Sequence, residues 1–321
     1  MKIHYFSGEA WEEAYVRAKL PHEEIIFHKE SLGALPDLTD ADATILCTFI
    51  ESPIAKAEMS RFPALKLIAT RSTGFDHIDL VAAKARAIVV ANVPFYGENT
   101  VAEFAFGLLL ALSRRIIDAD ERVRAGMFSP GGLRGFDLAG KTMGIIGTGH
   151  IGAHVVRMAQ GFGMKIIGFD VHPNQDLSHT LNFTYVPLPE LLAGSDIITL
   201  HVPYNKDTHH LINKENIGTI KKGAYLINTA RGAVVETDAL VAALKSGTLA
   251  GAGLDVLEEE QNLQDKKSEI SAENHYLIDH PRVIVTPHCA FNTTEAVERI
   301  LNTTIENIRG FATDSPTNIV S

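Results

Sequence analysis

Cysteine is nearly absent: Cys47 and Cys289 are the only two in 321 residues, too few for a disulfide framework or a Cys-rich zinc site. Long apolar runs are missing as well. The longest, Phe104 to Leu112, is nine residues, against the roughly 20 needed to span a bilayer, and so predicts a buried helix and no membrane partner. The first residues lack the apolar stretch of about 7–15 that a secretory signal requires. The sequons at Asn182, Asn292 and Asn302 are therefore read as incidental, and the expected compartment is the cytoplasm. Basic charge is scarce too, with 29 Lys and Arg against 39 Asp and Glu and a formal net charge of −10. No basic stripe of the kind that nucleic-acid phosphates demand is visible.

What the chain does have is apolar material, 45% of it, in short runs that alternate with amphipathic stretches. The length exceeds the roughly 250–300 residues at which one core usually splits, so two domains are expected. Buried strands are predicted at Ile25–Phe27, Thr44–Phe49, Leu65–Thr70 and Ile88–Val93, with a helix at Leu80–Arg86. A second set follows at Thr142–Gly147, Lys165–Asp170, Ile197–Val202, Ala224–Thr229, Gly251–Val256 and Val283–Thr286, with helices Ile151–Phe162 and Thr237–Lys245 between them. Such alternation implies parallel sheets with right-handed crossovers, hence two doubly wound α/β domains. Residues 99–118 read as one long apolar helix at the joint. Residues 258–282 read as a solvated insertion loop, and Thr293–Phe311 as a last amphipathic helix that could pack on either domain.

Two stretches match phosphate-binding patterns. Gly135 to Thr142 fits G-x-x-x-x-G-K-[ST], but a strand follows it where that loop must open a helix, so the match is read as chance. Gly147-Thr-Gly149-His-Ile-Gly152 stands in its required context, after a strand and opening a helix. The next strand ends in Asp170, 18 residues beyond Gly152. Gly147 permits the tight turn, Gly149 lets backbone approach a pyrophosphate, and Gly152 lets the helix pack closely. The helix amides then face the phosphates. Asp170 would accept from the ribose hydroxyls and repel a 2′-phosphate, so NAD is the expected cofactor.

Three further segments end predicted strands, where α/β sheets bind ligands: Asn228-Thr-Ala-Arg231-Gly, Asp255-Val-Leu-Glu-Glu-Glu260 and Thr286-Pro-His288. Together, and in this order, they resemble the Arg-Glu-His set of the D-isomer-specific 2-hydroxyacid dehydrogenases, and the resemblance runs nearly end to end. Chemistry makes sense of the roles. Arg231 can donate to a substrate carboxylate and keto oxygen. His288 would protonate that oxygen as hydride arrives, and Glu260 would hold the imidazole and stabilise its charged form. Glu258 and Glu259 are the neighbours for which Glu260 could be mistaken.

The resemblance implies two Rossmann-like domains, the second inserted into the first. Residues 1–98 plus 288–321 would bind substrate, and 99–287 would bind NAD and form a homodimer contact, partly through the helix after Asn99. It also places His150 and Ile151 over the pyrophosphate, Val202, Pro203 and Thr208 on the adenine side, and Thr229, Ala230 and Asp255 along the nicotinamide. Thr73 and Gly74 match the loop that grips the carboxylate. Tyr96, Phe49 and Phe291 could wall the pocket. His209, His210, His275 and His280 lack metal-ligand spacing and read as surface residues; no metal is expected. The turn His288-Cys-Ala-Phe291-Asn is similar to that of the D-lactate branch, although Cys289 and Asn292 depart from its commonest residues. The expected reaction is reduction of a small 2-keto acid, pyruvate to D-lactate foremost. Bulkier acids such as 2-ketoisocaproate or phenylpyruvate are the alternative, and an NAD-sensing corepressor-like scaffold is the alternative from another class.

Overall fold

The computed structural model describes residues 1–260 and 270–320. The chain divides into two units, Met1–Tyr96 with Thr293–Ser321, and Gly97–Asn292. Both are parallel-sheet α/β structures.

The first unit carries β1 (Lys2–Tyr5), β2 (Glu24–Phe27), β3 (Ile45–Thr48), β4 (Leu67–Thr70) and β5 (Val89–Ala91). The sheet order is β2-β1-β3-β4-β5 with every pairing parallel. Both faces are covered, which is why β3 and β4 read as unbroken apolar runs. On one face Ile45, Cys47, Leu67 and Ala69 pack with Leu301, Ile305 and Ile308. On the other Leu46, Ile68 and Val90 pack with Met59 and Phe62. The tail helix Thr294–Ala312, capped by Thr293 Oγ1 on the Ala296 amide at 3.2 Å, thus belongs to this unit. Strand β1 escaped the sequence reading because Lys2 and His4 interrupt it. His4 is nevertheless buried, bonded through Nδ1 to His28 and through Nε2 to Asp40, both at 2.9 Å.

The second unit carries β6 (Thr142–Ile146), β7 (Lys165–Phe169), β8 (Thr184–Tyr185), β9 (Ile197–Leu200), β10 (Ala224–Asn228), β11 (Leu249–Leu254) and β12 (Val283–Val285). Their order is β12-β11-β10-β9-β6-β7-β8. The chain leaves β6 toward β7 on one side and returns to β9 on the other, so the topological switch lies between β6 and β9. A dinucleotide binds outside the carboxyl ends of the strands at such a point.

Two expectations need correction here. The helix expected over 99–118 is two helices, Glu98–Arg114 and Ile116–Arg124, broken at Arg115, whose φ is +52°. The returning segment causes the break: the Phe136 amide takes the Ser113 carbonyl at 2.9 Å, and Arg115 Nη1 reaches the Gly132 carbonyl at 2.7 Å. The loop expected over 258–282 contains a helix, Ala272–Asp279, capped by Ser271 and burying Leu277. Residues 261–269 of that stretch lie outside the described residues. Among the described residues no helix is long and apolar enough to cross a membrane.

Candidate active site

The cofactor motif is built by exclusion of side chains. Gly147 follows β6 with φ +89°, and a Cβ there would meet the His201 carbonyl at 2.5 Å and Val202 Cγ1 at 2.9 Å. A Cβ on Gly152 would stand 2.1 Å from the Gly147 carbonyl, so the helix His150–Gly161 starts hard against the turn. At Gly149 the space is open: an added Cβ meets nothing within 4 Å. Backbone amides at a helix start beside open space suit a pyrophosphate. Exposed His150 and partly buried Ile151 begin that helix.

Asp170 is held against the same turn. Its Oδ2 accepts from the Thr148 amide at 2.8 Å and the Thr148 hydroxyl at 3.1 Å, and its Oδ1 accepts from the His172 amide at 3.0 Å. Thr148 in turn meets the Tyr185 hydroxyl at 2.7 Å. Sequence reasoning had passed over Thr148 because the motif leaves that position open. On the adjoining loop, Thr208 Oγ1 donates to the Pro203 carbonyl at 2.7 Å and accepts from the Asn205 amide at 2.8 Å, which fixes the turn after Val202.

Strands β10, β11 and β12 are neighbours, with Asn228 opposite Leu254 and Leu254 opposite Val285. The segments bearing Arg231, Glu260 and His288 therefore leave the same end of the sheet side by side. Buried Asn228 shapes the first: its Oδ1 accepts from the Ala230 amide at 3.0 Å and its Nδ2 donates to the Arg231 carbonyl at 2.9 Å. Gly232 is irreplaceable there, because a Cβ would lie 2.1 Å from the Leu257 carbonyl carbon. The Thr229 hydroxyl is buried without a partner among the described residues.

His288 has φ +50°, a conformation that costs a non-glycine residue about 1–2 kcal/mol. Asp255 imposes it. The Asp255 carbonyl accepts the His288 amide at 2.8 Å, and its buried carboxylate accepts from the Thr286 hydroxyl at 2.5 Å and the Cys289 and Ala290 amides at 3.0 and 2.8 Å. Burial pushes the Asp255 carboxyl above its ordinary range, against these hydrogen bonds and the nearby His288. Burial, with Asp255 beside it, likewise pushes the Cys289 thiol up, so that thiol is a poor nucleophile.

His288 Nδ1 then lies 2.5 Å from Glu260 Oε1, while Glu260 Oε2 accepts from the Leu257 amide at 3.2 Å. Glu258 points elsewhere, onto His210 Nε2 at 2.6 Å, and Glu259 is exposed with φ +60°. His210 is thus not the plain surface residue the spacing suggested. With Nδ1 committed to Glu260, the remaining nitrogen of His288 is the one available to a reacting oxygen.

In the first unit, Thr73 Oγ1 donates to the Val93 carbonyl at 2.8 Å, and the carbonyls of Thr73 and Gly74 accept from Asn92 Nδ2 and Ser72 Oγ at 2.8 and 2.6 Å. Beneath this turn sits buried Arg71, paired with Glu12 at 2.9 Å and donating to the Phe6 carbonyl at 2.6 Å. Its guanidinium lies over the rings of Tyr5 and Phe49, 4.4 and 5.5 Å from their centroids. Tyr96 and Phe291 are half-buried. Among the described residues no group of three His, Cys, Asp or Glu could hold a metal ion.

Comparison with known proteins adds to this geometry. The family model described as "D-isomer specific 2-hydroxyacid dehydrogenase, NAD binding domain" matches residues 106–290. The chain is 37% identical over 325 residues to 2-hydroxyacid dehydrogenase homolog 1 of Schizosaccharomyces pombe, covering 98% of this chain and 97% of that protein. It is 43% identical over 252 residues to an aromatic 2-oxoacid reductase of Clostridium sporogenes, 77% of this chain and 76% of that one. Among solved structures, the D-lactate dehydrogenase of Aquifex aeolicus complexed with NAD and lactic acid is similar with a TM-score of 0.88 and 36% identity. That match covers 98% of this chain and 96% of the other.

Proposed function

The chain belongs to the D-isomer specific 2-hydroxyacid dehydrogenase family and takes NAD, and from that premise we propose that it reduces a small 2-keto acid, pyruvate to D-lactate foremost. The observation that carries the reading is the His288–Glu260 pair at 2.5 Å, formed by the segments after β12 and β11, with the Arg231 turn after the adjoining β10. In this proposal the amides of Thr73 and Gly74 and the Arg231 guanidinium bind the carboxylate, and Arg231 also polarises the keto oxygen. The bound cofactor supplies the hydride. His288 gives its proton to the oxygen as the carbonyl is reduced and takes it back in the reverse direction. Glu260 orients the ring and stabilises the imidazolium. Phe49, Tyr96 and Phe291 limit the side chain the substrate can carry.

A second reading, a preference for aromatic 2-keto acids, is favoured by the identity to the Clostridium reductase. NADH oxidation with glyoxylate, pyruvate, 2-ketoisocaproate and phenylpyruvate separates the two. Pyruvate is expected to lead in kcat/KM, and Phe291→Ala to shift the ratio toward the larger acids; a lead for phenylpyruvate would make the second reading the right one. No turnover with any of them would leave a scaffold. His288→Gln should slow both directions by about 10²–10⁴-fold. Glu260→Gln removes the charge but keeps the shape, so kcat should fall with a smaller change in KM for the keto acid. Unchanged kcat in Glu260→Gln would remove the pair from the chemistry.

We further propose a homodimer. Exposed Ile116, Ile117 and Val123 stand on a helix that buries none of its own residues, and exposed Met127 and Phe128 follow shortly after its end, the kind of surface that marks an interface.

A further inference from the structure

Glu258 has more partners than Glu260. Its Oε1 lies 2.6 Å from His210 Nε2, and its Oε2 accepts from the Thr237 hydroxyl at 2.7 Å and the Thr237 amide at 3.2 Å. Its carbonyl accepts from Asn274 Nδ2 at 3.0 Å, and its amide nitrogen is 2.3 Å from where a Cβ on Gly232 would stand. Burial works to raise its carboxyl, yet the bonds from His210 and Thr237 outweigh that and hold it below the ordinary range. Glu258 is therefore an anion fixed at four points, three on its carboxylate and one on its carbonyl. Glu260, two residues on, has only the Leu257 amide and His288 as side-chain partners among the described residues. Between them the turn closes through the Glu260 amide on the Leu257 carbonyl at 3.3 Å, with Glu259 in the left-handed region. That turn aims the two carboxylates at two different imidazoles.

His210 is itself well anchored. Its amide donates to the Ala233 carbonyl at 2.8 Å, just past the Arg231 turn, and its ring stacks on His209 at 3.9 Å. His209 meets the Tyr204 hydroxyl at 3.3 Å. The loop bearing Pro203 and Thr208 is thus tied through His210 and Glu258 to the turn bearing Glu260. Among the described residues, the groups facing His210 are Glu258 and His209, and those facing His288 are Glu260 and Asp255.

We propose that Glu258 and His210 form a positioning pair, a second histidine–carboxylate couple that holds Glu260 in line with His288. Neither touches the reacting atoms. The proposal rests on the reading of His288 and Glu260 as the acid–base pair. Displacing Glu260 by a fraction of an ångström would lengthen its bond to His288, and misplacements near 1 Å cost about 100-fold in rate.

The test follows the His288 ring directly, in full-length protein labelled with ¹⁵N-histidine, its signals assigned by their loss in His288→Gln. Glu260→Gln should move the Nδ1 proton signal of the His288 ring upfield, because the short bond to a carboxylate is lost. Glu258→Gln should move it the same way, and should lower kcat by about 10–100-fold with a smaller change in the KM for keto acid. In the Glu260→Gln background, Glu258→Gln should add no further shift. His210→Gln, which breaks the pair but leaves Glu258 on Thr237, should reproduce a smaller shift and keeps the test open if Glu258→Gln fails to fold. If Glu260→Gln moves the signal while the folded Glu258→Gln and His210→Gln variants do not, the positioning pair is overturned. If Glu260→Gln itself leaves it unmoved, the acid–base reading fails instead.

Discussion

Asp170 closes β7 with both carboxylate oxygens already engaged by Thr148 and His172, yet Oδ1, which accepts only the His172 amide among the described residues, keeps a lone pair for a ribose hydroxyl. Removing it therefore has two effects that can be measured apart. Asp170→Ala should narrow the preference for NADH over NADPH by weakening NADH more, checked by kcat/KM for the two cofactors. It should also lower unfolding free energy by roughly 1.5–3 kcal/mol, since hydrogen bonds to a charged group are lost, checked by urea denaturation without cofactor. Equal use of both cofactors by the wild type would remove Asp170 from its ligand role. The position of Asp170 was legible because strand, helix and spacing announce it. Its anchor Thr148 was not, because the bond spans 22 residues and exists only once β6 and β7 pair. The Glu258–His210 contact, 48 residues apart, was hidden for the same reason: no local pattern marks a side chain whose partner is brought by the fold.

At the level of elements, the helix His150–Gly161 separates folding from binding in two adjacent positions. Gly152→Ala forces a Cβ to within 2.1 Å of the Gly147 carbonyl and should destabilise by about 1–3 kcal/mol, the usual cost of overpacking. Gly149→Ala enters open space and should leave Tm unchanged, while weakening NADH about 10-fold by occupying the approach to the phosphates. Thermal unfolding and NADH fluorescence titration of both variants check this, and a Tm loss in Gly149→Ala would contradict it. Buried parallel strands were easy to find because both of their faces are apolar. The break at Arg115 was invisible, since it depends on a carbonyl of Ser113 captured by Phe136, 23 residues later. The helix Ala272–Asp279 was masked by its charged surroundings, with Leu277 and Asn274 its only buried residues.

For the whole molecule, acid is the revealing perturbation. His201 keeps some exposed surface, but its Nδ1 is buried without a partner among the described residues, and its Nε2 meets Thr199 Oγ1 at 2.8 Å. Burial lowers its pKa to about 3 from an ordinary 6.5. The native ring stays neutral while the unfolded one takes up a proton below pH 6.5, so stability should fall as pH drops through that window toward 3. By pH 5 the loss reaches up to about 2 kcal/mol. His201→Asn should shrink the difference in urea midpoint between pH 7 and pH 5. Asp255, raised by burial, acts in the opposite sense, so the variant comparison isolates His201 where the wild-type slope alone would not. The interruption of the first unit by the second also sets an order of events during synthesis. Its five strands are complete by Ala91, but the apolar face formed by Ile45 and Leu67 is closed by Leu301, Ile305 and Ile308. At ribosomal rates of about 5–20 residues per second, that face waits roughly 10–45 s for its cover. The inserted unit, contiguous in sequence, can fold during the wait. The half-built sheet meanwhile is the stage at which the nascent chain most needs a chaperone, and slowing translation of the last third should raise its aggregation without changing one contact of the finished protein.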